Sequence, residues 1–270
     1  MRCEIILNAF NIPYKRKLYH YGQGAQKKNG GYDPTGGPVT LMGNKVLPVL
    51  EICDYDGPVT GNGGIYLNGP NAVNKVEKIK KSSSNSSITS LGSNSNSELG
   101  GITTKFMGES MEIIAFLVAR HNLSLALASA PCVVTTWHKK FNPVKSALVR
   151  PRISQMTHLL DWSDKRDVEY ARAKYDRLGF DFEEVARNTQ KYLSDMSELL
   201  NEFNDNILLT DSSIHPYGFS GDDVTLLPDL RSLTCVKGLE WPPRVRRYIE
   251  MHFKSSLHMG LELYDKYAVE

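Results

Sequence analysis

Apolar and polar positions divide the chain into a mixed stretch, a patternless stretch and a helical stretch. Arg2 to Phe10 places Ile5, Ile6 and Phe10 on one face at helical spacing. It stops at Asn11-Ile12-Pro13, since proline disfavours helix in the residue before it. Tyr14 to Tyr21 alternates in the manner of a strand, and a glycine-rich loop, Gly22 to Gly37, follows. A short turn around Val39 to Gly43 leads to an apolar run, Lys45 to Ile52, interrupted by Pro48. From Asp54 to about Gly101 the pattern dissolves. Ser82 to Ser97 is nearly all Ser and Asn and follows the basic stretch Lys75 to Lys81. So little apolar area cannot offset ordering entropy, and the segment reads as a disordered surface insertion. Pattern returns with a strand over Ile102 to Phe106. A helix then opens at Glu109-Ser110, with Ser110 as its cap and Met111, Ile114, Ala115 and Val118 as its apolar positions.

Beyond a linker near 120 to 130 no strand pattern remains. Helices are predicted over Val133 to Phe141, Pro143 to Met156, Lys165 to Leu178, Phe182 to Phe203, Asp222 to Leu233 and Pro243 to Lys266. Ser220 stands three residues before Asp223, flanked by Phe219 and Val224. That is a capping box with a hydrophobic staple, and its role is to start a helix.

Composition removes several function classes. Net charge is +2, from 32 basic and 30 acidic residues, so no electrostatic footprint for nucleic acid or an anionic membrane exists. Arg150 with Arg152, and Arg244 with Arg246 and Arg247, read as solvated helix faces. The most apolar stretch, Ile113 to Val134, contains Arg120, His121, Asn122 and Pro131, which excludes it as a membrane span. Arg2 and Glu4 interrupt any secretory signal. Cys3, Cys53, Cys132 and Cys235 lie far apart, with neither metal-ligand nor redox spacing, which fits a reducing cytoplasmic compartment and no metal site.

Three places retain chemical interest. Pro48 in an apolar strand belongs at an edge or bend. Glu109-Ser110 at a helix start could be a carboxylate site or a plain cap. Cys3 begins a helix, where the dipole activates a thiol, although an inert core thiol is the commoner case. Gly61, Gly63 and Gly64 lack the strand-to-helix context of a dinucleotide loop, and His215 and His252 stand isolated.

The order of these elements resembles the glutathione transferase architecture. Asn11-Ile12-Pro13, Met42 to Leu50, Met107 to Ile113 and above all Ser220 to Tyr248 look like the transferase-shaped bacterial glutaredoxin, glutaredoxin two. The last stretch carries Asp222-Asp223, Leu227-Pro228, Leu230-Arg231, Trp241-Pro242 and Arg244-Val245. The resemblance implies an α/β plus all-α chain. Residues 1–121 would be a thioredoxin-like glutathione-binding domain with the insertion at about 54–101, and residues 130–270 a transferase-type helical domain. It implies that Pro48 is cis, that the Leu47 backbone pairs with the cysteinyl part of glutathione, that Glu109 and Ser110 hold its γ-glutamyl end, and that Lys45 lies near its glycine end. The implied reaction is glutathione-dependent thiol–disulfide exchange on protein or small disulfides, by a monomer rather than a dimer. The family's Cys-Pro-Tyr-Cys motif and first strand precede the first helix, and by this alignment Met1 falls just after them. The chain is therefore expected to be N-terminally truncated, with no catalytic residue of its own, with two sheet edges left unpaired, and inactive as it stands. A glutathione transferase, a dehydroascorbate reductase and a non-catalytic glutathione-binding interaction protein are the alternatives.

Overall fold

The computed structural model describes residues 1–55, 65–67, 102–125, 132–157, 159–254 and 262–270. Helix α1 (Arg2–Ala9) buries Cys3, Ile5, Ile6 and Leu7. Asn11, at φ 52, turns the chain into β1 (Tyr14–Arg16). This strand is shorter than the alternation to Tyr21 predicts. Tyr21 leaves the sheet for the helical half, where its ring lies 4.9 Å from that of Trp162 and 5.5 Å from that of Tyr170. The one-turn helix α2 (Val39–Met42) is stopped by Gly43 at φ 71, a left-handed conformation that suits glycine.

Strands β2 (Val49–Tyr55), β3 (Ile65–Leu67) and β4 (Ile102–Gly108) complete a sheet of order β1-β3-β2-β4. β3 runs parallel to β1 and antiparallel to β2, and β2 runs antiparallel to β4. The expectation of an unpaired gap inside the sheet is thereby corrected, because β3 fills the place between β1 and β2. Ile65-Tyr66-Leu67 is a short run of strand-favouring residues inside a glycine-rich stretch, too brief to stand out from it. The supposed insertion thus contributes an internal strand. The basic and Ser/Asn-rich stretches, and Gly61, Gly63 and Gly64, lie outside the described residues.

Helix α3 (Ser110–Arg120) buries Ile114 as predicted, but with Ile113 and Leu117 in place of Met111 and Ala115, which are exposed. The helical half comprises α4 (Cys132–Ile153), α5 (Leu160–Ser163), α6 (Lys165–Arg177), α7 (Phe182–Arg187), α8 (Thr189–Asn206), α9 (Gly221–Leu233) and α10 (Pro243–Lys254). Two predicted helices merge into α4, which runs through Pro143 and Pro151. Each proline forfeits a helical hydrogen bond. The burial of Trp137, Phe141, Ala147 and Leu148 on both sides of Pro143 offsets that loss. Conversely, the predicted helix Phe182 to Phe203 divides at Asn188 into α7 and α8. Arg152 is not solvated. It is 3% exposed and donates from Nη1 to the Leu148 carbonyl at 2.7 Å. Residues 262–270 return as a strap on α9, with the Tyr264 amide bonded to Thr234 Oγ1 at 2.8 Å and Val269 bridged to Val236.

One buried cluster unites the two halves. It contains Ile6, Leu7, Leu50, Ile113 and Leu117 with Trp137, Phe203, Leu227 and Tyr248. Trp137 stacks on Phe141 with centroids 4.5 Å apart, and its Nε1 donates to the Leu199 carbonyl at 2.9 Å. Burial on this scale, and not local propensity, holds the helices in place.

Candidate functional site

The β2–β4 register builds a corner at one end of the sheet. Val49 pairs with Gly108. The residues before β2, Leu47-Pro48, and those after β4, Glu109-Ser110, therefore emerge at the same edge. The Leu47–Pro48 peptide bond is cis, as the resemblance implied. Gly108 permits close approach here, because a Cβ at that position would lie 2.6 Å from Val46 Cγ1. Leu47 is 41% and Met111 50% exposed, so the corner has apolar lips open to solvent.

Ser110 is not the predicted cap. The capping position is Glu109, and no side-chain hydrogen bond caps α3. Glu109 adopts φ 67 and ψ 117, a sparsely populated conformation for a residue with a Cβ. Strain of this kind tends to gather at functional sites. The first turn of α3 thus presents backbone N–H groups with no helical acceptor beside an exposed carboxylate and an uncommitted hydroxyl.

The two cysteines whose side chains are described, Cys3 and Cys235, are both buried. Cys3 is fully buried and its Sγ donates weakly to the Ser110 carbonyl at 3.7 Å. Burial pushes its thiol up to about 11, outweighing the helix start that was expected to activate it. Burial likewise pushes Cys235 up to about 12. The side chains of Cys53 and Cys132 lie outside the described residues.

Lys45 is two residues from Leu47, but its side chain turns into the seam between the halves. Its Nζ donates to the Tyr21 carbonyl and sits 4.4 Å above the Tyr170 ring. Burial first, and the neighbouring Lys174 second, push its ammonium down to about 8. Beside it lies a tether that the sequence did not announce. Asp167, fully buried in the first turn of α6, accepts from the Gly22 amide at 2.7 Å, Tyr32 Oη at 2.7 Å and His20 Nδ1 at 2.9 Å. Burial and this carboxylate push the Tyr32 hydroxyl well up.

The histidines read as isolated have partners. His215 Nε2 lies 2.7 Å from Asp222 Oδ2 and its ring stacks on Tyr217, while His252 Nε2 bonds the Ser212 carbonyl at 2.9 Å. Among the described residues, no group of three His, Cys, Asp or Glu side chains is placed to hold a metal ion, and no helix is long and apolar enough to cross a membrane.

The fold is a small β/α region joined to a bundle of helices. Residues 133–268 match the family described as "Glutaredoxin 2, C terminal domain". That match spans half the chain, and the chain belongs to the glutaredoxin 2 family. Glutaredoxin 2 of Escherichia coli (strain K12) is 24% identical over 145 residues, which cover 54% of this chain and 66% of that relative. The chain therefore spans just under two thirds of the curated relative's length. The crystal structure of glutaredoxin 2 from Salmonella typhimurium in complex with glutathione superposes with a TM-score of 0.69 at 16% identity, covering 99% of this chain and 93% of that one.

Proposed function

We propose that this chain carries the glutathione-binding corner of a glutathione-dependent thiol–disulfide oxidoreductase. The observation that carries the reading is the Val49–Gly108 register, which sets Leu47-Pro48 against Glu109-Ser110. The Leu47 backbone would pair with the cysteinyl part of glutathione. The free N–H groups of α3 and the Ser110 hydroxyl suit the γ-glutamyl carboxylate, and the Glu109 carboxylate suits its ammonium. Lys45 would serve the glycine end. The Salmonella relative's capture with glutathione supports this choice of ligand.

Disulfide exchange needs a thiolate that attacks one sulfur while the other leaves. With their thiols pushed up to about 11 and about 12, Cys3 and Cys235 are not that group. The reacting thiol is one other than these. The same two cysteines favour a second reading, glutathione binding without turnover. Backbone amide shifts on adding glutathione test the site: perturbation of Leu47, Glu109 and Ser110 is expected, and perturbation confined to other residues would overturn it. Glutathione-coupled reduction of a small disulfide separates the two readings, with turnover supporting the oxidoreductase and binding without turnover the second.

A further inference from the structure

The Lys45 amine is held against aromatic rings in the seam between the halves. Its Nζ lies 4.4 Å from the centre of the Tyr170 ring and 5.6 Å from that of Tyr21, and it donates to the Tyr21 backbone carbonyl. Trp162 stands behind Tyr21, with ring centres 4.9 Å apart. Lys174, from α6, approaches the same tyrosine. Its Nζ donates to Tyr21 Oη at 2.9 Å and lies 5.1 Å from the ring centre. Both lysines are only partly buried, so a small solute reaches them.

Among the described residues, no carboxylate stands within ion-pair distance of either nitrogen. Asp167 attracts Lys45 only from further off, and its oxygens already serve Gly22, Tyr32 and His20. Burial and a like charge next door both favour the neutral amine over the ammonium. Those are the two conditions that make a lysine nucleophilic. At pH 7 about a tenth of Lys45 is then unprotonated, against less than about a thousandth of an ordinary lysine.

We propose that Lys45 is a carbamate-forming lysine: its amine takes up carbon dioxide, and the anion that results pairs with the Lys174 ammonium. The Nζ lone pair forms an N–C bond to CO2, one C=O π pair moves onto oxygen, and the nitrogen sheds one proton to solvent. Nothing is oxidised or reduced. The N–H that remains still serves the Tyr21 carbonyl. Lys174 has one of its three N–H donors on Tyr21 Oη, which leaves two for the carbamate oxygens. Two like charges in a half-buried seam thus become a hydrogen-bonded ion pair. Lys165 makes the contrast: exposed, it faces Glu169 at 3.5 Å, a carboxylate where Lys45 has a second ammonium. The step needs no glutathione, so it stands apart from the reading above.

Trapping tests the proposal on the unaltered protein. The chain is equilibrated with 13C-labelled bicarbonate and CO2, treated with triethyloxonium to convert any carbamate to its stable ethyl ester, digested, and mapped by mass spectrometry. Labelled adduct is expected at Lys45 well above the level at Lys165, and absent at that position in Lys45→Arg. Lys174→Met is expected to lower the Lys45 yield about tenfold, the usual worth of one charged hydrogen bond, and Lys174→Arg to restore it in part. No adduct at Lys45, a yield there no higher than at Lys165, or adduct confined to the Met1 amino group would overturn the proposal. So would an unchanged Lys45 yield in a folded Lys174→Met. The comparison of Lys45 with Lys165 needs no variant, so a poorly folding substitution leaves the test intact.

Discussion

Two helices in this molecule begin in opposite ways. α9 begins in a closed, fully buried network. Asp223, 0% exposed, accepts from the Ser220 amide at 2.8 Å, Ser220 Oγ at 2.7 Å, the Ile214 amide at 2.9 Å and Tyr248 Oη at 2.7 Å. Ser220 Oγ accepts in turn from the Asp223 amide. Burial and the adjacent carboxylate hold the Tyr248 hydroxyl well above its ordinary range. α3 begins at a strained, exposed Glu109, with no side-chain cap and a hydroxyl left over. The first arrangement spends its polar groups on the fold. The second leaves them for something else, and the same Ser-plus-acid vocabulary serves both ends.

Asp223→Ala should break this contrast most severely. It strands the Ile214 and Ser220 amides and the Tyr248 hydroxyl in the interior, and the expected loss is about 3–5 kcal/mol. The denaturant midpoint should fall at constant slope. Gly108→Ala should follow, at about 1–3 kcal/mol, because the new methyl overlaps Val46 at the floor of the corner. Unlike Asp223→Ala, it should also weaken glutathione binding. Ser220→Ala should lower stability by about 0.5–2 kcal/mol and leave affinity unchanged.

Lys45 gives the smallest effect. Its ammonium is held at about 8 in the fold against an ordinary 10.5, so the unfolded chain keeps a proton that the folded chain sheds between those values. Lys45's own contribution to stability should therefore rise with pH from about 8 upward, against the opposing contribution of Cys3 and Cys235, whose raised thiols favour the unfolded chain once its free thiols ionise above about 9. Lys45→Met should flatten that rise in melts up to pH of about 9.5, below the range in which free tyrosines ionise.

The α9 start was legible because a capping box is local: four residues and two flanking apolar ones specify it. Leu47-Pro48 and Glu109-Ser110 were legible as fragments, and the resemblance joined them before the register did. The uncapped state of Ser110 was not legible, because a serine before an apolar run predicts a cap and only the backbone shows Glu109 in that position. β3 was hidden by its length, since its worth comes from partners on both sides and not from its own three residues. Asp167 was hidden for a similar reason. It looks like any acid in a first helical turn, and its partners Gly22, Tyr32 and His20 lie more than 130 positions away. The continuity of α4 through Pro143 reflects burial of Trp137 and Phe141, which no propensity rule contains.

The most direct test of the account is calorimetric titration of glutathione into the unaltered protein and Ser110→Ala, with a thermal melt of each. The account predicts binding to the unaltered protein, affinity about tenfold weaker in Ser110→Ala, and a stability change within about 0.5 kcal/mol. Equal affinities with a lowered melting temperature in the variant would contradict it, and would make α3 a capped helix of the same kind as α9.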